Sequence, residues 1–243
     1  MKIDRIGRWL FRRQGEIQIP FVLGAVALLR PEYPFGSHLF DVLMDMVGLL
    51  FMVAGLGIRF WVIGYRKRGT SQRRGAEIRS SELITDGLYG YVRNPLYLGN
   101  LVIAAGVMIL FFNIWLIPVF FCLVSHYYLI IRAEEAYLEK RFGGTYRTYK
   151  QSTPRLIPAI WKRKHHPPDR KFDWNQVVKK EKDLALAVVL TPVVIEIYEE
   201  LLHEGWWQFL TEHWGELAVY VTVAMTAFFM WWVVRCQKRR RLI

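Results

Sequence analysis

Apolar and charged residues occupy separate stretches of this chain, and the length of the apolar stretches predicts helices that cross a membrane. A hydrocarbon layer about 30 Å thick needs about 20 apolar residues in helical form. Six stretches reach or approach that length. They are Ile17–Leu29, short and carrying Pro20; Leu39–Gly64; Leu96–Phe112; Ile114–Ile131; Leu184–Leu202, with Pro192 and Glu196 inside; and Leu217–Val234. Only Asn113 separates the third from the fourth, which predicts a helical hairpin that barely emerges between them. The intervening segments sort by charge. Residues 1–16, the loop after the second stretch, residues 132–183 and the tail after Val234 are rich in Lys and Arg. Residues 30–38 hold only Arg30, and 203–216 hold none. Basic loops stay on the cytoplasmic side of membranes, so six spans with both termini cytoplasmic satisfy every loop. The expected fold is therefore an all-α integral membrane protein with about six transmembrane helices.

Composition agrees once charge and apolarity are seen to be segregated. Hydrophobic residues make up 53% of the chain, yet the net charge is +12. Such a balance can mark a nucleic-acid binder. Here the basic residues alternate with spans, so membrane lipids are the expected partners and nucleic acid is not. Ile3, Ile6 and Leu10 share a helical face among basic residues, as a helix lying on an anionic membrane surface would. Basic residues before a short apolar run also suit a signal peptide, but no small-residue cleavage site follows Leu29, so the first span is expected to be retained. Cys122 and Cys236 make no disulfide framework or metal spacing. His165 and His166 lack further ligands and read as solvated. Asp41, Asp45 and Glu196 lie near one set of helix ends and Arg59 near the other, where long side chains snorkel to water.

Two segments at the basic side carry candidate chemistry. The first runs from Gly87 to Asn100 and contains Tyr91, Arg93, Asn94, Pro95, Tyr97 and Gly99. Pro95 holds Asn94 extended and then favours a helix start, so the segment is a loop feeding straight into the third span. Glycines there permit close backbone approach, and amides at the helix start can hold a carboxylate. The same residues also describe an ordinary loop-to-membrane junction with Tyr91 and Tyr97 as interfacial anchors. The second segment extends the fourth span: Arg132, Glu134, Glu135, Leu138, Phe142, Gly143, Tyr146 and Tyr149, then Pro154, Arg155 and Pro158. Gly143-Gly144 reads as a helix stop. Glu134 and Glu135 point about 100° apart, so one can face solvent and the other a cavity. Glu135 aligns with Leu138 and Phe142 on one face. A solvated glutamate face on an amphipathic helix accounts for the pair equally well.

Together the stretches RNPLYLG, EEAYLEKRFGGTYRTY and PRLIP resemble the isoprenylcysteine carboxyl methyltransferase and phospholipid methyltransferase superfamily, over about residues 85–160. That resemblance implies a cytoplasmic S-adenosylmethionine site built from the loop before the third helix and the extension after the fourth. Tyr91, Arg93, Asn94, Pro95, Tyr97 and Gly99 would lie near the cofactor, with Tyr146 and Tyr149 helping to close the site. Glu134 and Glu135 fall on the paired-glutamate motif, and with Arg132 they are the implied catalytic residues. No metal is implied. A hydrophobic or lipid-like methyl acceptor would enter from the bilayer. Two departures matter. Asn94 stands where many members have His, and it cannot titrate near neutral pH. Ile130 stands where the prenylcysteine enzymes tend to have Arg, which weakens the case for a prenylcysteine carboxylate as acceptor.

Methyl transfer from a sulfonium needs positioning, a deprotonated nucleophile and a dry site. A carboxylate can offset the donor's charge or accept a proton, and Arg132, Arg93 or Arg155 can clamp a carboxylate. A nicotinamide-dependent membrane sterol reductase has a similar pattern, but its Lys-Tyr-Gly is Arg141-Phe142-Gly143 here. A non-enzymatic membrane scaffold is the third reading. The expected division is residues 1–38 for a surface helix and first span, 39–160 for the methyltransferase core, 161–183 for a basic linker and 184–243 for an added transmembrane hairpin. The methyl acceptor and the oligomeric state stay open.

Overall fold

The computed structural model describes residues 9, 13, 38–67, 82–159, 168, 170–203, 211 and 213–240, with side chains to 236. The expected surface helix, the span Ile17–Leu29 and the histidine pair lie outside the described residues. Five long helices account for most of what is described: α1 (His38–Tyr65), α2 (Pro95–Phe111), α3 (Leu116–Ser152), α4 (Trp174–His203) and α5 (Trp214–Arg240). A 3-10 turn, Gly87–Gly90, precedes α2. The protein is an all-α membrane protein. By length and composition three helices are long and apolar enough to cross a bilayer, over Leu39–Tyr65, Leu116–Ser152 and Trp214–Cys236. The 17-residue α2 is apolar but shorter. The fourth helix falls short because Glu196, Glu199 and Glu200 crowd its last turns. The structure thus supports three of the six expected spans by this standard.

Glycines set the α1–α2 contact. Gly48 and Gly55 on α1 face Gly106 and Gly99 on α2, in antiparallel order and at the same seven-residue spacing. A Cβ on Gly55 would sit 2.6 Å from the Gly99 carbonyl oxygen, and one on Gly106 2.5 Å from that of Gly48. Small residues let helix backbones approach in a membrane, where packing rather than water exclusion drives association. The opposite face of α1 presents Leu43, Met46, Leu50 and Val53 outward, as a lipid-facing surface must.

The α2–α3 join is as tight as the sequence suggests. Phe112 takes a positive φ of 29°, and the Asn113 side chain accepts the Trp115 amide at 2.9 Å, so α3 starts at once. Its 37 residues would span about 55 Å, well beyond the hydrocarbon layer, so its second half projects out. Gly143 kinks it (φ 54°, ψ −123°) rather than ending it, and helix resumes to Ser152.

The largest departure concerns α4. It begins at Trp174, inside the stretch 161–183 that reads as a linker by composition. Asp173 caps it by accepting the Gln176 amide at 3.1 Å. The Gln176 side chain donates to the carbonyls of Ile63 (2.5 Å) and Arg66 (2.7 Å), closing the end of α1. The Phe172 ring fills the notch that Gly64 leaves. One turn further, Glu181 receives two hydrogen bonds from Arg59, both 2.8 Å. Arg59 therefore does not snorkel: its side chain is 16% exposed and that of Glu181 4%. Further along, Val188 and Ile195 join Met52, Leu110, Phe111 and Leu116 in the main core. The fourth helix is part of the same packed body as α1 and α2. The fifth is held to α4 at one end by the Trp231 indole donating to Asp183 at 2.6 Å.

Candidate functional site

The site begins with why three separate segments meet. Pro95 opens α2, and Asn94 before it is held out of the helix (φ −127°). That turn aims Arg93 and Asn94 at the projecting half of α3. There Glu135 is buried, at 4% exposure, on the face it shares with Ile131. Arg93 donates through Nε to Glu135 Oε1 at 3.0 Å, and Asn94 Nδ2 lies 3.3 Å from the same oxygen. Arg155, from the segment after α3, binds Glu135 Oε2 through Nη2 at 2.8 Å and through Nε at 3.2 Å. Arg93 also donates from Nη1 to the carbonyls of Lys150 (2.6 Å) and Thr153 (3.1 Å), satisfying the end of α3. Asn94 adds a bond to the Arg155 carbonyl at 3.1 Å.

Backbone bonds close the frame. The Arg93 amide donates to the Pro154 carbonyl at 2.9 Å, and the Ala159 amide to that of Tyr91 at 3.1 Å. The Tyr149 hydroxyl donates to the Tyr89 carbonyl at 2.7 Å, bringing the second half of α3 onto the 3-10 turn. Tyr146 is fully buried beside Tyr149, with ring centroids 6.1 Å apart. All three motif-bearing stretches are thus one unit around a single buried carboxylate. The Glu135 carboxylate raises the Arg155 pKa still further, so this guanidinium stays charged at any working pH. A carboxylate buried with two arginines is strongly held, because losing one partner leaves uncompensated charge away from water.

The expected site residues divide accordingly. Arg93, Asn94, Glu135, Tyr146 and Tyr149 are in the frame or against it. Pro95 is buried at the first position of α2, and Tyr97 packs on Tyr127 with ring centroids 5.3 Å apart. Tyr91 is half-buried and contributes its carbonyl. Glu134 is half-buried, is not among the groups that bind the two arginines, and acts electrostatically on Tyr89. Arg132 is half-buried and takes no part in the Glu135 cluster. Gly99 faces α1: a Cβ there would meet the Arg59 side chain at 2.7 Å and the Gly55 carbonyl oxygen at 2.9 Å. Its small size is required by helix packing.

A second polar cluster sits just behind the loop. Besides Glu181, Arg59 donates from Nη1 to Asn100 Oδ1 at 2.6 Å and reaches the Leu96 carbonyl at 3.4 Å. Asn100 in turn donates to the Tyr127 hydroxyl at 3.2 Å. This fixes the first turns of α2 from α1, α3 and α4 at once. Glu181 was not legible as a member. The available signal was Asp173 with Gln176 three residues on, a helix-start pattern inside a basic stretch.

What the geometry defines is a class: a helical membrane protein whose polar site gathers at one end of α1, α2 and α3, with the motif segments locked by a buried Glu–Arg cluster. The comparisons with known proteins narrow it. Residues 43–145 match the family model for phospholipid methyltransferases. The protein-S-isoprenylcysteine O-methyltransferase of Schizosaccharomyces pombe (strain 972 / ATCC 24843) is 40% identical over 80 residues, which make up 32% of this chain and 34% of that protein. The match thus spans about a third of that curated relative's length. No solved structure matches the chain. Both matches support the isoprenylcysteine carboxyl methyltransferase and phospholipid methyltransferase superfamily, the first of them over residues 43–145.

Proposed function

We propose that this protein is an S-adenosylmethionine-dependent methyltransferase of the membrane, acting on a lipid-like or prenylated acceptor that enters from the bilayer. The observation that carries the reading is the single frame formed by RNPLYLG, the glutamate pair and PRLIP around Glu135, the first two of which lie within the residues that match the methyltransferase family model. When bound, the donor would supply an electrophilic methyl on a sulfonium. The chain's residues do the rest. Both oxygens of Glu135 are engaged by Arg93 and Arg155, so its part is positioning: it holds the loop and the end of α3 at fixed separation. Glu134 is the carboxylate suited to offset a sulfonium, since it is half-buried and its field reaches Tyr89. The Asn94 side chain is turned to Glu135 rather than to the start of α2, which has no side-chain cap. The first amides of that helix therefore remain suited to an anionic or carbonyl group. Tyr97, Tyr146 and Tyr149 supply aromatic walls. Six spans, with both termini and this site cytoplasmic, belong to the same reading and rest on the loop charges.

Calorimetry on the detergent-solubilised full chain tests it. S-adenosylhomocysteine should bind saturably and NADPH should not. Saturable NADPH binding without binding of the methionine derivative would overturn the reading.

A further inference from the structure

At the end of α1 stands a cation that neither polar cluster uses. Arg93 and Arg155 both donate to Glu135, Arg93 also to the carbonyls of Lys150 and Thr153, and Arg59 donates to Glu181, Asn100 and Leu96. Arg66 differs: its Nε is buried and has no hydrogen-bond partner among the described residues. Its backbone is not free to relieve this. The Arg66 amide donates to the Ile63 carbonyl at 3.3 Å, and its carbonyl accepts from Gln176 at 2.7 Å. A buried guanidinium donor without an acceptor is unfavourable, and native proteins leave few such groups unsatisfied. Glu181 on α4 has both carboxylate oxygens engaged by Arg59.

The surroundings are those of a zwitterion site. Arg66, Glu134, Asp86 and Arg59 all act on the phenol of Tyr89, whose pKa burial pushes up, so it stays a neutral hydroxyl. Tyr89 belongs to the 3-10 turn before the first motif, and its carbonyl takes the Tyr149 hydroxyl from the second. The fields of Arg66 and of two carboxylates, Glu134 and Asp86, therefore reach the turn that joins the two motifs. This arrangement fits a ligand bearing a carboxylate and positive centres on one small frame.

We infer that Arg66 binds the carboxylate of the methyl donor's methionine portion, with the fields of Glu134 and Asp86 favouring its cationic groups. The inference rests on the methyltransferase reading and adds the anchoring residue that neither the motifs nor the paired arginines supply. Arg66 is a binding residue and takes no part in the transfer step.

The test compares S-adenosylmethionine with its decarboxylated analogue, by calorimetry on the solubilised full chain. Wild type should prefer the carboxylated donor by about 10- to 100-fold, the range expected of a charge-assisted hydrogen bond. Arg66→Ala should reduce S-adenosylmethionine to the affinity of the analogue while leaving the analogue's affinity unchanged. Arg66→Lys, which keeps the charge and most of the stem, should restore part of the preference. Equal wild-type affinity for the two ligands overturns the inference whether or not the variants fold. So does a variant that weakens both ligands alike. Failure of wild type to bind either ligand overturns the methyltransferase reading, and this inference falls with it.

Discussion

Replacing Glu135 by Gln is the sharpest perturbation of the frame. The substitution keeps size and one acceptor oxygen but removes the charge that two arginines share. It also places amide hydrogens against donors of Arg155. The Glu135 side chain is 5% exposed, that of Arg93 8% and that of Arg155 27%. Removing one partner of a buried ion pair costs about 3–5 kcal/mol. Water reaches Arg155 and screens part of that, which puts the expected loss near the lower end, about 3 kcal/mol. For a chain of this length that corresponds to a melting point lower by about 6–12 °C. The loss should be local as well, because Arg93 also ties down the carbonyls of Lys150 and Thr153. Donor affinity should therefore fall even well below the melting temperature. Intrinsic tryptophan fluorescence gives the melt, and calorimetry gives the affinity. Glu134→Gln is the counterpart: it should shift stability by about 0.5 kcal/mol or less, yet weaken donor binding. A Glu135→Gln protein that melts within about 2 °C of wild type, on the same scale, would refute the buried-cluster argument.

Three further outcomes follow from the packing and the charges. Gly99→Ala should destabilise by about 1–3 kcal/mol, since its Cβ would meet the Gly55 backbone, whereas Gly57→Ala, open on all sides, should be silent in the same melt. Glu181→Gln should leave Arg59 without its carboxylate partner, and a chain ending before Trp174 should aggregate while one ending after His203 still melts cooperatively. Equal behaviour of the two truncations would show that α4 is dispensable to the core. Topology reporters at 165–170 and at 205–215 should fall on opposite sides of the membrane; finding them on the same side would sink the six-span arrangement.

Local pattern made the helices and the chemistry-bearing segments readable, while contacts between distant residues were not. Pro95 marked the start of α2, and Asn113 marked the tight α2–α3 join, because both act through neighbouring backbone. The projection that placed Glu135 with Leu138 and Phe142 pointed it inward. It could not show that both oxygens would be taken by arginines 42 and 20 residues away. Arg59 and Glu181 are 122 residues apart, and composition alone put Glu181 in a linker. The glycine of RNPLYLG suggested close approach to a ligand. The approach is to α1, and the seven-residue spacing shared by Gly48–Gly55 and Gly99–Gly106 was the signal for it. Arg66 passed as one of many basic loop residues, since only burial distinguishes an unpartnered guanidinium nitrogen from a solvated one.

The central claim is methyl transfer to a membrane acceptor. Its most direct test incubates membranes carrying the protein with methyl-labelled S-adenosylmethionine, supplies a prenylated cysteine probe beside the native lipids, and extracts into organic solvent. The account predicts label in the organic phase, dependent on the protein and reduced by Glu135→Gln. Label that stays in the aqueous phase with every acceptor, from a protein that binds and oxidises NADPH, would contradict it.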